Sequence, residues 1–250
     1  NGVFGAFVVA DPNAGAPVYG FTARFSAGIG GGSTPPADGW AFAFGSDIPD
    51  DPTAGSPMFA EGAGLGPGLR VSFDIYNNDY PFVQMANGAR VYNEQTVAFS
   101  VDVRYGSQII ASKQLPLSFM ETGANLDLTP IYGDCIIQMN NDATLNVVFH
   151  GALVFDHLPV PAFGSVSGGR FALAARTGGL NENMWFDNVQ ITSVTQPGAV
   201  RIISQSGNQT ILVNHAMTNT VALNDTAGVT YQWFRGTAPV SGAVGSTYVL

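Results

Sequence analysis

Apolar residues recur at every second position along most of this chain. The clearest run is Val97, Phe99, Val101, Val103 and Tyr105, alternating with Ala98, Ser100, Asp102 and Arg104. In an extended backbone successive side chains point to opposite faces, so the run predicts a strand with one face on a core and one in water. The same pattern predicts strands over 18–27, 40–45, 69–76, 82–85, 109–113, 145–155, 170–176 and 184–194. Between them lie Gly30-Gly31-Gly32, Pro35-Pro36, Asp50-Asp51-Pro52, Gly66-Pro67-Gly68, Asn140-Asn141-Asp142 and Gly178-Gly179. Such clusters supply the positive or preset φ that turns require. Asn87-Gly88, between Val83–Met85 and Arg90–Tyr92, is a hairpin signal. A helical period never persists beyond a turn or two. Many short strands joined by Gly/Pro turns predict an all-β sandwich or barrel.

The pattern breaks at Thr195-Gln196-Pro197-Gly198. Beyond it come shorter apolar runs over 200–203, 210–213, 220–223 and 231–234. The expected units are therefore 1–195 and 196–250, within the one or two domains that 250 residues suggest. The second unit lies near the lower size limit for independent folding. The chain starts without Met and stops inside the apolar Tyr248-Val249-Leu250, so it reads as a piece of a longer protein.

Charge narrows the function. Lys plus Arg number 9 against 18 acidic residues, a net charge of −9, and Lys113 is the only lysine. Nucleic-acid binding needs clustered cations, so it is not expected. Neither is docking on an anionic membrane. Membrane insertion is not expected either, because no apolar run approaches the roughly 18 residues a span needs. Cys135 is the only cysteine, which excludes a disulfide within the chain and a cysteine zinc cage. Its neighbours Ile136-Ile137 predict a buried thiol. Charged residues are 11% of the chain, against about 25% in ordinary soluble domains. Few lysines and an acidic balance suggest a secreted or cell-surface protein.

Five segments resemble the L-type (legume-type) lectins of the concanavalin A-like superfamily. They are Ala37-Asp38-Gly39-Trp40-Ala41-Phe42-Ala43-Phe44, Gly62-Ala63-Gly64-Leu65-Gly66, Val71-Ser72-Phe73-Asp74-Ile75-Tyr76-Asn77-Asn78, Tyr80-Pro81-Phe82-Val83, and Gly169-Arg170-Phe171-Ala172-Leu173-Ala174-Ala175-Arg176-Thr177-Gly178. Their order and spacing agree over roughly residues 1–195. The resemblance implies a jelly roll of two antiparallel sheets, with a glycan bound at the loop end of one sheet. It implies that Asp38 accepts two sugar hydroxyls, that a backbone N–H near Gly64 donates, and that Asn78 bridges sugar and calcium. It implies that the loop 178–183, including Gly179 and Asn181, sets specificity, and that the Ala37–Asp38 peptide is cis. The metal strand implies calcium held by Asp74, the Tyr76 carbonyl, Asn78 and Asp79.

The chain also departs from that family. Ser72 stands where the family has Glu, Phe82 where it has His, and Asp79 follows Asn78 at once. A transition metal is therefore not expected. Calcium takes six to eight oxygens, so these four donors need water besides. A polar strand end turning through Asn77-Asn78 is the other reading of the same residues. Tyr231-Gln232-Trp233-Phe234 and the residues after it resemble the first half of a bacterial immunoglobulin-like domain, with Trp233 as its buried tryptophan.

The residue chemistry supports glycan binding independently. A carboxylate accepts paired hydroxyls, a glycine loop admits backbone donors, and Tyr76 or Tyr80 could stack on a sugar ring. Glycoside hydrolysis needs two carboxylates about 5–9 Å apart. Glu occurs only at 61, 94, 121 and 182, without the spacing of a laminarinase-type strand. His150 reads as a satisfied strand histidine. Glu182, Asn183 and Asp187 around Trp185 could form a second calcium or sugar locus, or Trp185 could pack with Phe186, Val189 and Ile191. The leading expectation is a non-enzymatic glycan-binding module whose other partners are domains of the same parent chain. A structural or adhesion module without sugar binding is the alternative, and a hydrolase is a distant third.

Overall fold

The computed structural model describes residues 3–30, 32–33, 37–49, 68–76, 82–84, 90–92, 99–106, 108–115, 132–196, 200, 202–210, 215–223, 226 and 228–250. Its strands are β1 Phe4–Val9, β2 Gly20–Gly30, β3 Gly39–Gly45, β4 Leu69–Asp74, β5 Phe82–Gln84, β6 Arg90–Tyr92, β7 Ser100–Tyr105, β8 Gln108–Gln114 and β9 Gly133–Met139. They continue as β10 Thr144–Phe149, β11 Ala152–Pro159, β12 Arg170–Arg176, β13 Asn183–Val194, β14 Ile202–Gln205, β15 Thr218–Leu223, β16 Phe234–Arg235, β17 Ala238–Pro239 and β18 Thr247–Val249. No helix long and apolar enough to cross a membrane occurs among the described residues.

The chain is all-β, as its period-two pattern predicts. One antiparallel sheet runs β1-β12-β3-β4-β7-β8 and a second runs β11-β10-β9-β2-β13. The chain passes from the first sheet (β1) to the second (β2) and back (β3), and changes sheet again after β8, β11 and β12. That exchange makes the two sheets layers of one jelly-roll sandwich. Aromatic side chains fill the space between the layers. Phe21 and Phe25 of the five-stranded sheet meet Phe42 and Trp40 of the six-stranded sheet, at ring-centroid distances of 5.6 and 5.7 Å. Phe149 meets Phe73 at 4.8 Å and Phe99 at 5.7 Å. Trp40 stacks on Phe73 at 3.9 Å. Each aromatic ring removes a large apolar area from water, which is the main stabilising contribution here.

The six-stranded sheet corrects one expectation. Ser100 and Asp102 alternate with the core residues of β7, so water was expected on their side. Both are buried, as are Arg70, Ser72 and Asp74 on the paired strand β4. Alanines continue this second face across β3 and β12, where Ala43, Ala172 and Ala174 pack with Ile48, Phe4 and Val8. Alternation divides side chains between two faces; it does not say which faces stay wet.

Several element boundaries also differ from the sequence pattern. The run 145–155 is two strands, because the chain turns at His150 and Gly151, which have φ of 48° and 77°. His150 therefore lies in a turn rather than in a strand. Its ring covers Gly133, where a Cβ would come 2.0 Å from His150 Cδ2. Its Nε2 lies 3.4 Å from the Ala27 carbonyl. Strands β1 and β9 carry no clean alternation in the sequence and are found only through their partners. Trp185 is not part of the core cluster, whereas Met184, Phe186, Val189 and Ile191 pack against it. Alternation puts Trp185 on the opposite face from Met184 and Phe186. The hairpin around Asn87-Gly88 is present as the β5–β6 pair, although residues 85–89 lie outside the described set.

Strands β14, β15 and β18 form a small sheet, and β16 pairs with β17. Trp233 is neither in a strand nor fully buried, contrary to the expectation for it. Its indole N–H donates to the Gly245 carbonyl at 2.8 Å, and its ring stacks on Tyr248 at 5.8 Å. These two contacts leave the indole part of its surface in water. Cys135 is fully buried and free, and burial pushes its thiol well above the usual range, so it is unreactive.

Candidate functional site

Three strands of the six-stranded sheet end at one place. Gly39 at the start of β3 pairs with Arg176 at the end of β12 and with Asp74 at the end of β4. The Ala37–Asp38 peptide just before it is cis, as the resemblance implies. Gly39 has φ of 144°, and a Cβ there would lie 2.2 Å from the Phe73 carbonyl oxygen. Only glycine lets β3 start this close to β4. The Asp38 carbonyl accepts from the N–H groups of Ile75 and Tyr76 at 3.0 and 3.3 Å, and the Asp38 N–H donates to the Arg176 carbonyl. Asp38 is thus held through its backbone by both neighbouring strands.

A cleft of about 360 Å³ opens there, lined by Ala37, Asp38, Tyr76, Arg176, Thr177, Gly178, Gly179 and Leu180. The Asp38 side chain is 6% exposed, and its Oδ2 lies 3.4 Å from Arg176 Nε. The Arg176 side chain is 38% exposed. Gly178 passes directly over the carboxylate, and a Cβ on it would sit 3.1 Å from Asp38 Oδ2. Gly179 has nothing within 4 Å of its Cβ position, so that stretch of backbone is open. Thr177 fixes the loop at its root: its N–H donates to the Val3 carbonyl, and its Oγ1 accepts from the Val3 N–H.

Of the predicted ligand-binding residues, Asp38 and Gly179 line the cleft. Asn181 follows in the same loop beyond the lining residues. Its carbonyl accepts from the Ser33 N–H and hydroxyl, and its N–H donates to Ser33 Oγ at 2.8 Å. Gly64, Asn78 and Asp79 lie outside the described residues. Leu180 belongs to the expected specificity loop 178–183, whereas Arg176 and Thr177 were given no role of their own. The available signal was a lone cation two residues before a Gly-Gly turn.

The described residues do not by themselves fit calcium. Asp74 is buried at the end of β4, two residues before Tyr76 in the chain. Among the described residues, no three His, Cys, Asp or Glu side chains converge. One carboxylate and one carbonyl fall short of six to eight oxygens. Glu182 and Asp187 likewise belong to no such cluster.

A comparison with solved structures finds likenesses of fold. One is the Emp47p carbohydrate recognition domain, at 17% identity and TM-score 0.45, covering 75% of this chain and 74% of that one. The lectin from Bauhinia forficata in complex with GalNAc is 15% identical, with TM-score 0.48 and 70% and 73% covered. The VIP36 exoplasmic/lumenal domain in its Ca²⁺/Man-bound form is 13% identical, with TM-score 0.46 and 78% and 75% covered. No family model and no curated protein matches the chain.

Proposed function

We propose that the cleft at Asp38 binds a glycan without converting it, in a module of a larger secreted or cell-surface protein. The observation that carries this reading is a nearly buried carboxylate at the floor of an open cleft, between Tyr76 and the Gly178-Gly179 turn. A carboxylate accepts hydrogen bonds from adjacent hydroxyls, an aromatic ring covers an apolar sugar face, and exposed glycine backbone offers further polar groups. Among the described residues the cleft is lined by one carboxylate, whereas glycosidic cleavage uses two. This favours binding over hydrolysis.

A glycan array and calorimetry on the whole chain test the proposal, with Asp38→Ala as the control. Binding by the wild type and its loss in Asp38→Ala is the expected result. Repeating the array with calcium and with a chelator tests whether Asp74, Tyr76, Asn78 and Asp79 hold a metal that binding needs. A second reading, an adhesion module that binds no sugar, is favoured by Ser72 and Phe82, which stand where the resembled family has Glu and His. The wild type would then bind nothing on the array. We also place a unit boundary near residue 196, because β14 and later strands pair only with one another among the described residues. Limited proteolysis is expected to cut there.

A further inference from the structure

We infer that the outer face of the five-stranded sheet carries a second glycan site, a trough that takes a neutral sugar ring between Trp185 and Tyr132. It lies on the other sheet from the Asp38 cleft and does not depend on it. The trough follows from the register of β9, β2 and β13, which are neighbours in that order. Trp185 of β13 pairs with Gly28 of β2. Ala27 pairs with Gly133 of β9, so Tyr132, one residue earlier, falls opposite Gly28 from the other side. The next row is Asp134, Ser26 and Asp187, and the one after it is Ile136, Arg24 and Gln190. Phe25, Ala27 and Cys135 are buried in the core, so alternation turns these rows outward. Gly28 and Ser26 on the central strand make a low floor, and the longer side chains of β9 and β13 make the walls. A bulge keeps the β13 wall on one face. It inserts Asn188, with φ of 54°, so that Trp185, Asp187 and Gln190 all face outward while Phe186, Val189 and Ile191 pack against the core.

These side chains are open to a ligand. Tyr132 is 45% exposed, and Arg24, Asp134 and Asp187 are exposed as well. Trp185 is half-buried, yet among the described residues its indole N–H makes no hydrogen bond and its ring meets no other ring. Asp187 gives one oxygen to the Asn188 N–H at 2.7 Å and keeps the other. A depression of about 280 Å³, lined in part by Arg24, Ser26, Asp134 and Gln190, lies over the rows beside the aromatic pair. Trp185 and Tyr132 flank Gly28 from strands about 10 Å apart. Contacts of about 3.5–4 Å on each side leave room for one ring-shaped ligand between them. A pyranose has apolar C–H faces and an edge of hydroxyls that both donate and accept. The aromatic row meets the faces, the two carboxylates accept, and Arg24 and the indole N–H donate. An ammonium ligand would use the rings and carboxylates but would meet the charge of Arg24. A purely apolar ligand would strip water from the charged row and give nothing back. Donors and acceptors beside an aromatic pair match a neutral sugar.

The test is calorimetry on the whole chain with neutral hexasaccharides of cellulose, mannan, xylan, chitin and laminarin. At least one is expected to bind Asp38→Ala, in which the cleft is disabled. That binding should weaken about tenfold or more when Trp185→Ala is added, the loss expected on truncating a central aromatic contact. Trp185→Phe should keep most of it, and Tyr132→Ala, on the opposite wall, should weaken it too. If Asp38→Ala abolishes all binding and Trp185→Ala changes none, the inference falls and the cleft reading stands. If Trp185→Ala abolishes binding and Asp38→Ala leaves it untouched, the cleft reading falls and this one stands. Binding of tetramethylammonium that needs Trp185, with no sugar bound, would overturn the inference. So would a dimer seen by sedimentation that Trp185→Ala dissolves, again with no sugar bound. If none of the hexasaccharides binds, it is overturned as well. Should Trp185→Ala not fold, Tyr132→Ala, which lies outside the strands, decides by the same loss.

Discussion

The two sheets of the sandwich obey the same period-two rule and end in different environments. In the five-stranded sheet, β10 alternates strictly between half-buried and buried positions, and β9 nearly so. One face packs and the other is wet. In the six-stranded sheet every residue of β3 and β4 is buried. Its second face is made of Ala41, Ala43, Ser72, Ala172 and Ala174 together with Arg70, Asp74 and Asp102. Small residues allow close cover, and the buried charges must find partners there, since an isolated buried ion is costly. Arg70 shows how. Its guanidinium donates to Asp47 at 2.7 Å and to the Leu69 carbonyl at 3.1 Å. The sheet whose strands β3 and β4 are buried on both faces is also the one whose strand ends form the cleft. That position fixes Asp38 and Arg176 on rigid backbone, while the more conventional sheet supplies the other half of the core.

This contrast can be broken or sharpened by substitution. The largest effect is expected from the core that both sheets share. Phe149→Ala removes a ring packed on Trp40, Phe73 and Phe99. It should destabilise the sandwich by about 3–5 kcal/mol in denaturant unfolding. Next comes the second face. Asp47→Ala strands the Arg70 charge, whose side chain is 2% exposed against 15% for Asp47. A loss of about 2–3 kcal/mol is expected, below the fully buried range because Asp47 reaches solvent. An Asp47→Ala protein as stable as the wild type would mean that the second face is not sealed.

Smaller effects separate the site from the scaffold. Gly178→Ala brings a methyl group against Asp38 Oδ2. It should weaken glycan binding while shifting the melting temperature little, measured by calorimetry and thermal unfolding on one sample. Equal losses in both would make Gly178 part of the scaffold instead. The smallest effect lies on the five-stranded sheet. Burial lowers the His150 pKa below its ordinary 6.5, partly opposed by the Ala27 carbonyl and the charge of Asp134. Between the lowered folded value and 6.5 the unfolded chain binds more protons, so stability rises with pH across that window. Stability is lost as pH falls below 6.5, and His150→Gln should remove this part of the slope.

The fold class was readable from alternation because strand backbone projects neighbouring side chains to opposite faces whatever surrounds it. Strands β3, β4, β7, β12 and β13 were all visible in this way. β9 was not, because Gly133, Asp134 and Cys135 precede its apolar residues without a clear period. The split at His150 was missed because an apolar residue on each side of a turn resembles one continuous strand. Part of the site was readable as well. Asp38 and Gly179 stand out in motifs, since a carboxylate before Gly-Trp and a Gly-Gly turn are local features. Arg176 did not stand out. Its meaning depends on lying beside Asp38, which is 138 positions away in the chain.

The sequence alone determined that the chain builds sheets, where most of them turn, and which residues could form a core, because these follow from local geometry and the burial of apolar surface. It also set the scarcity of cations that makes a single arginine conspicuous. Tertiary structure decided the rest. It sealed a polar sheet face that alternation would leave wet, and it brought the ends of β3, β4 and β12 together. It placed the nearly buried Asp38 carboxylate and the Arg176 side chain next to each other in one cleft. Those outcomes depend on contacts between distant segments, and a strand's own pattern carries no record of what packs against it.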